Sequence, residues 1–208
     1  MMGNDSTAKV REIYDGAARS WWWISLPDSI SGFNRLRRKH FKGVTGDVLD
    51  VGCGTGENFK YLRNASSVAA LDVSPKMVMR AGQRARRMGL DVTFSVADAA
   101  ALPYTDESFH TVVSAGSSCT FPDYIGAFKE MERVVKAGGQ ILLVEHSRSS
   151  VKWMARRQDR NVEKAFEKWG CRGNRDVAAE IAEAGLIALS HQRSHLGTLN
   201  RIEIGVGQ

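Results

Sequence analysis

Residues 47–56, DVLDVGCGTG, limit what this chain can fold into more than any other stretch. Val48, Leu49 and Val51 form a short apolar, partly β-branched run, as in a strand buried on both faces of a parallel sheet. Asp50 sits at its end, and Gly52, Gly54 and Gly56 follow at alternate positions. Asn58, Phe59, Tyr61 and Leu62 then read as the opening of a helix. Strand, glycine turn and helix opening together make a ligand-binding joint. Glycine lets the backbone come close to a ligand, and a helix N-terminus presents free N–H groups. The carboxyl end of a strand is where open α/β sheets hold cofactors.

The spacing discriminates among ligands. A dinucleotide fingerprint runs G-x-G-x-x-G, with a pyrophosphate on the helix N-terminus. Here the third glycine comes one position early and Glu57 stands where that fingerprint has glycine. An anion beside a pyrophosphate is repelled, and no Gly-Lys-Ser/Thr follows to make a phosphate loop. An acid before the first glycine suits a cationic or hydroxyl-rich ligand better; the alternative is an ordinary strand-to-helix turn. On these residues the stretch resembles motif I of the class I S-adenosylmethionine-dependent methyltransferases, whose glycine turn approaches the amino-acid end of the cofactor.

Two further segments fall in register with it. Residues 67–71 read as a second strand ending at Asp72, 22 residues after Asp50, as in a strand–helix–strand unit. A carboxylate there can accept from both ribose hydroxyls, a chemistry that S-adenosylmethionine and NAD share. Ser74, Pro75 and Met77 resemble the D-x-S-x-x-M segment of the family, in which the methionine region lies near the adenine, and Pro75 suits a first helical turn. A third strand over 92–96 is followed by Asp98-Ala99-Ala100 and Leu102-Pro103-Tyr104, which resemble the family's DAxxLPF segment. There the aspartate accepts from the adenine amino group. The resemblance thus implies S-adenosylmethionine as cofactor, held by Asp50, Gly52, Gly54, Gly56, Asp72, Val73, Met77, Asp98, Ala99 and Ser114.

Before the glycine turn, residues 1–9 read as a polar tail and 10–19 as a helix with Val10, Ile13, Tyr14, Ala17 and Ala18 on one face. Tyr14-Asp15 with Ala17 and Ala18 resembles the YDxxA lid of small-molecule methyltransferases, including the ubiquinone and menaquinone C-methyltransferases; a plain packing helix is the other reading. Trp21, Trp22 and Trp23 cannot all face one core. A pocket wall, a partner surface and a membrane-interface anchor all suit them. Arg35, Arg37, Arg38, Lys39, His40 and Lys42 form a basic run, read as a solvated helix face or a phosphate-contacting patch.

After Asp98, residues 109–113 lead into a fourth strand, with His110 where the family commonly has aspartate. The loop Ser114 to Thr120 lies at that strand's carboxyl end, beside the transferable methyl group. No partner for the Cys119 thiol is visible in sequence. Residues 124–135 are an amphipathic helix, Lys136-Ala137-Gly138-Gly139 resembles the family's K-P-G-G turn, and 141–144 form a fifth strand. Glu145-His146 ends it, as a carboxylate–imidazole pair able to act as a base or as a structural pair. The catalytic candidates are Tyr14 and His146. Residues 147–175 depart from a minimal sheet: Val162, Ala165, Phe166 and Trp169 repeat at helical spacing amid basic side chains. A pocket cap, an anionic membrane contact and an RNA contact remain open for this segment. A helix over 177–184 and a hairpin of 186–190 with 201–206 close the chain. His191 and His195 lack a third ligand, so no metal is expected.

The chain has 208 residues, 43% of them hydrophobic, enough for one sizeable core. A net charge of +6 permits an anionic partner without requiring one. Three scattered cysteines argue against a disulfide framework or zinc knuckle and for a reducing compartment, cytoplasm or mitochondrial matrix, rather than secretion. No apolar run approaches the roughly 20 residues of a membrane span. Alternating strands and helices indicate a doubly wound α/β sheet; the resemblance implies a Rossmann-like sheet of seven strands, the last antiparallel. The expected organisation is a helical lid over 1–42 and a methyltransferase domain over 43–208, with 147–175 as cap or partner surface. The expected acceptor is a small molecule or lipid-like. An RNA- or ribosome-associated factor, or an RNA methyltransferase, is the alternative.

Overall fold

A computed structural model describes residues 2–21 and 32–207. Strand β1 (Asp47–Val51) lies in the interior of a seven-stranded sheet. It pairs in parallel with β2 (Ser67–Asp72) on one side and β4 (Phe109–Ala115) on the other. β3 (Thr93–Val96) and β5 (Val135–His146) extend the parallel sheet outwards. The terminal hairpin of β6 (Ala188–Ser194) and β7 (Leu199–Gly205) gives the order β3-β2-β1-β4-β5-β7-β6, with β7 antiparallel to both neighbours. This is the doubly wound class I methyltransferase architecture that the motif register implied.

The apolar runs explain the layering. Alternate residues of a strand face opposite sides, so Leu49 and Val51 enter one core with Phe128, Met131 and Ile141. Val48 enters the other, with Phe33, Phe41 and Val144. Helix α1 spans Met2–Ala17 and α2 spans Phe33–Phe41. Helix α3 (Pro75–Met88) starts where Ser74 Oγ accepts from the Met77 N–H and ends at Gly89. α4 (Tyr124–Val134) is capped by Asp123, and α6 (Val177–Glu183) by Asp176. α5 (Lys152–Trp169) lies between them in sequence.

Several local expectations are corrected. Residues 2–9 are helical, so the polar tail belongs to α1. The glycine turn opens not a helix but one 3-10 turn, Phe59–Tyr61. Phe59 is fully buried, with its ring directly under Gly56. That anchor, and the short path to β2, leave no room for further turns. Residues 136–139 belong to β5, at an irregularity in its pairing with β4, where Gly138 N donates to Val206 O. Trp22 and Trp23 lie outside the described residues, while Trp21 sits with its ring 5.4 Å from that of Tyr14.

Candidate active site

The carboxyl ends of β1, β2, β4 and β5 open on a cavity of about 480 Å³, in the range typical of small-molecule sites. Gly52, Gly54, Asp72, Val73, Asp98 and Ala99, from the three motif segments, line it. Tyr14 of α1 and His146 at the end of β5 line it too. Val10, Trp21, Phe121 and Trp169 give it a largely apolar wall.

Backbone geometry accounts for the glycines. Gly52, Gly54 and Gly56 have φ of +68°, +53° and +79°, in the left-handed region that other residues disfavour. A Cβ on Gly52 would stand 2.5 Å from Ser117 Cβ. A Cβ on Gly54 would meet nothing within 4 Å, so its absence keeps the backbone open towards the cavity.

The acids behave differently from one another. Asp72 accepts from Gly54 N and from Ser74 N, both at 2.9 Å. Its burial pushes the carboxyl up to about 6, against the pull of those N–H groups. Asp98 accepts from Ala100 N at 3.0 Å and from Thr7 Oγ1 of α1 at 2.8 Å. α1 is tied down a second time where Ser74 Oγ donates to Asp15. Glu57, which argued against a dinucleotide, is paired with Arg84.

Four of the cofactor residues implied by the motifs stand behind the cavity rather than on its wall. Asp50 is fully buried and accepts from Asn58 Nδ2 at 2.8 Å; desolvation pushes its carboxyl up to about 7. Gly56 closes over Phe59. Met77 is fully buried on the inner face of α3. Ser114 is buried too, its hydroxyl donating to Glu145. Asp50, Met77 and Ser114 support the wall from below, because the strand and helix periods turn these side chains inward.

Glu145 and His146 do not form a working pair on one face. Successive strand residues point to opposite sides. Glu145 is fully buried, and its carboxylate accepts from Ser117 N at 3.0 Å, Ser118 N at 3.1 Å and Ser114 Oγ at 3.0 Å. Burial raises its pKa. It holds the loop after β4 in place. His146 instead stacks on Phe33, with ring centroids 5.0 Å apart, and the Arg37 guanidinium lies 4.4 Å from the centroid of the same Phe33 ring. Glu145→Ala is expected to cost about 2 kcal/mol by stranding two buried N–H groups. Glu145→Gln should cost about half of that, because the amide oxygen keeps both bonds while its NH₂ turns to the Ser114 hydroxyl. Urea unfolding of the two variants checks the ordering.

Other features had no local signal in the sequence. Thr7 reaches Asp98 across 91 residues. Thr55 and Asn58 line the cavity, and Thr55 Oγ1 and Asn58 Oδ1 are buried without a hydrogen-bond partner among the described residues. Cys119 meets Cys171. Of the basic run, Arg37 lines the cavity and His40 bonds Ile202 O at 2.8 Å, whereas Arg35, Arg38, Lys39 and Lys42 are exposed on the solvated face. Of the expected stripe on α5, Ala165 and Trp169 line the cavity, Trp169 being 41% exposed, and Val162 and Phe166 are half-buried; the fully buried residue of the helix is Ala155, outside the stripe. His191 bonds Asn200 at 2.6 Å.

The fold and the motif register are those of the class I S-adenosylmethionine-dependent methyltransferases. Residues 49–143 match the family described as a methyltransferase domain. Among curated proteins, the mitochondrial methyltransferase OMS1 of Saccharomyces cerevisiae is 28% identical over 84% of this chain and 41% of its own length. The ubiquinone/menaquinone biosynthesis C-methyltransferase UbiE of Bdellovibrio bacteriovorus is 31% identical over 58% of this chain and 54% of its own. The chain therefore spans about half the length of these relatives. A crystal structure of a SAM-dependent methyltransferase from Aquifex aeolicus shares the fold, with a TM-score of 0.66 at 19% identity, covering 91% of this chain and 98% of that one. The cofactor of the class, S-adenosylmethionine, fits the residues present. The open Gly54 backbone, the unspent oxygens of Thr55 and Asn58 beside it, and the acceptors Asp72 and Asp98 match a ligand with ammonium, hydroxyl and amino groups.

Proposed function

We propose that this chain transfers a methyl group from S-adenosylmethionine to a small-molecule or lipid-like acceptor. One observation carries the reading: the three motif segments converge on a single cavity whose remaining wall is apolar and aromatic. In this reading Asp72 receives the ribose hydroxyls, Asp98 with Ala99 and Val73 borders the adenine, and the Gly52–Gly54 turn with Asn58 holds the amino-acid end. Asp50, Gly56, Met77 and Ser114 support these contacts from beneath. The bound sulfonium supplies the electrophilic methyl and the driving force.

The protein's own task is then positioning and exclusion of water. Residues 1–42 act as a lid, α1 closing over Asp98 through Thr7. Residues 147–175 cap the opposite wall through Trp169 and Cys171. The acceptor sits against Gly116, Phe121 and Tyr14, with His146 placed to take a proton where the nucleophile carries one. The printed name of UbiE, a quinone-biosynthesis enzyme, agrees with an apolar acceptor. Three retained cysteine thiols and the mitochondrial relative support a reducing compartment, cytoplasm or mitochondrial matrix. No described helix is long and apolar enough to cross a membrane.

An RNA- or ribosome-directed role would draw on the basic segments. Arg148, Arg172 and Arg175 are paired with Asp159, Glu163 and Glu180, while Arg156, Arg157, Arg160 and Lys164 of α5 are exposed; the small-molecule reading is preferred because the motif segments line one largely apolar cavity. Turnover against quinones, lipids, thiols and RNA, read by S-adenosylhomocysteine release, tests it. Turnover on RNA alone, with binding that falls steeply with salt, would reverse the preference.

The Asp72 role has a pH signature. An ionised carboxylate accepts at both oxygens, whereas a protonated one gives up an acceptor. With its pKa raised to about 6, Asp72 is ionised above neutrality. Cofactor affinity should be full at about pH 8 and fall roughly tenfold by about pH 5, one unit below the pKa. Asp50 titrates in the same range, near 7, so Asp72→Asn serves as the control that should flatten the profile. An affinity independent of pH in wild-type protein would remove Asp72 from the ribose contact.

A further inference from the structure

Cys119 and Cys171 are 52 residues apart in the chain, yet their sulfurs lie 3.0 Å apart. Backbone contacts create this approach. Arg172 N donates to Cys119 O at 2.9 Å, and the Arg175 guanidinium donates to Phe121 O at 2.9 Å. The segment after α5 is thereby fastened to the loop after β4 beside the sulfur pair. Both cysteines are free thiols and both line the cavity. Cys119 is buried, whereas Cys171 is partly exposed. Cys53 belongs to a separate cluster with Phe59 and Ala70.

We propose that Cys119 and Cys171 form a reversible redox modification site, at which a low-molecular-weight disulfide converts the two thiols into an intramolecular disulfide that latches the α5 cap onto the sheet. The Cys171 thiol first loses its proton to solvent. Its sulfur attacks the oxidant's S–S bond, forming a mixed disulfide and expelling one thiolate with the electron pair. The Cys119 thiol then gives up its proton, and its sulfur attacks Cys171 Sγ and expels the second thiolate. Both thiolates are protonated from solvent. In sum, two protein thiols are oxidised and one small disulfide is reduced to two thiols. The order follows from exposure and chemistry. The neighbouring Cys119 thiol holds Cys171 below the usual thiol range, while Cys119 is pushed up by Cys171 and by burial. Reduced, the cap rests on hydrogen bonds and ion pairs. Oxidised, the chain from Cys119 through α4, β5 and α5 to Cys171 is closed into a covalent loop along the cavity wall. A pair of this kind suits a compartment where disulfides are transient.

The test incubates the whole folded chain with oxidised glutathione, unfolds it in denaturant with excess alkylating agent to block the remaining thiols, and digests with trypsin without reduction. Peptide 169–172 should be recovered joined to peptide 88–129, and dithiothreitol should release both, while Cys53 in peptide 43–60 is recovered alkylated. Cys171→Ser, which leaves buried Cys119 in place, should abolish the joined species. Recovery of Cys119 and Cys171 both alkylated, or of Cys171 bearing glutathione with no link to Cys119, would overturn the site. Amide exchange across residues 152–170 is the second readout. At least a severalfold slowing on oxidation is expected, and unchanged exchange would overturn the latch. Neither measurement depends on the methyl acceptor.

Discussion

Asp72→Ala is expected to weaken S-adenosylmethionine binding at least tenfold, and by more if both ribose hydroxyls bond the carboxylate. Hydrogen bonds to a charged acceptor contribute roughly 1.5–3 kcal/mol each, so losing one already exceeds a factor of ten. The carboxylate has a second task. It holds Gly54 N and Ser74 N, joining the glycine turn to the start of α3. The alanine variant therefore frees the turn as well as removing the acceptor. Asp72→Asn retains one oxygen acceptor and the side-chain shape, and should fall between wild type and alanine. Isothermal calorimetry decides, with a thermal melt to show that each variant is folded. Affinity unchanged from wild type would sink the ribose assignment.

Gly52→Ala should be the most damaging single-methyl change at the site, costing about 3 kcal/mol or more of stability. The left-handed conformation at φ +68° costs an L-residue roughly 1–2 kcal/mol. The added methyl would also stand 2.5 Å from Ser117 Cβ, an overpacking that costs typically 1–3 kcal/mol. Ser117 cannot yield easily, because its N–H is held by the buried Glu145 and its hydroxyl lies against Ser114 and Val51 O. Gly54→Ala is the matched control. Its φ is also positive, but its methyl meets nothing within 4 Å. It should cost only the conformational part in stability while losing cofactor affinity by filling the cavity. Chemical denaturation and calorimetry on the pair separate the effects; equal stability losses would show that the Ser117 contact is not decisive.

The parts legible in the sequence share one property: each is written in a short stretch. Val48, Leu49 and Val51 announce a buried interior strand by composition, and the glycines announce the left-handed turn because other residues resist it. Asp72 and Asp98 are found by register, since a strand–helix–strand unit returns the chain to the same sheet edge. Local pattern failed where two influences compete. Asn58 to Leu62 has helical spacing, but Phe59 is drawn into the core under Gly56 and ends the turn. Glu145 and His146 are adjacent in sequence and so looked like a pair, although an extended strand turns them apart. Met77 and Ser114 fall on motif positions, yet their side chains complete the core beneath the site.

The sequence by itself thus determined the sheet, the glycine turn and the acids at its strand ends. These follow from periodicity, from backbone conformations open only to glycine, and from the fixed length of a crossover. Only the tertiary structure decided what closes the site. Thr7 on Asp98, Glu145 under the Ser117 loop, His146 stacked on Phe33 and Cys119 against Cys171 all join residues that no local pattern relates. Pairings of that kind are set by which faces the folded sheet and its cap bring together, so they become visible only once the long-range packing is in place.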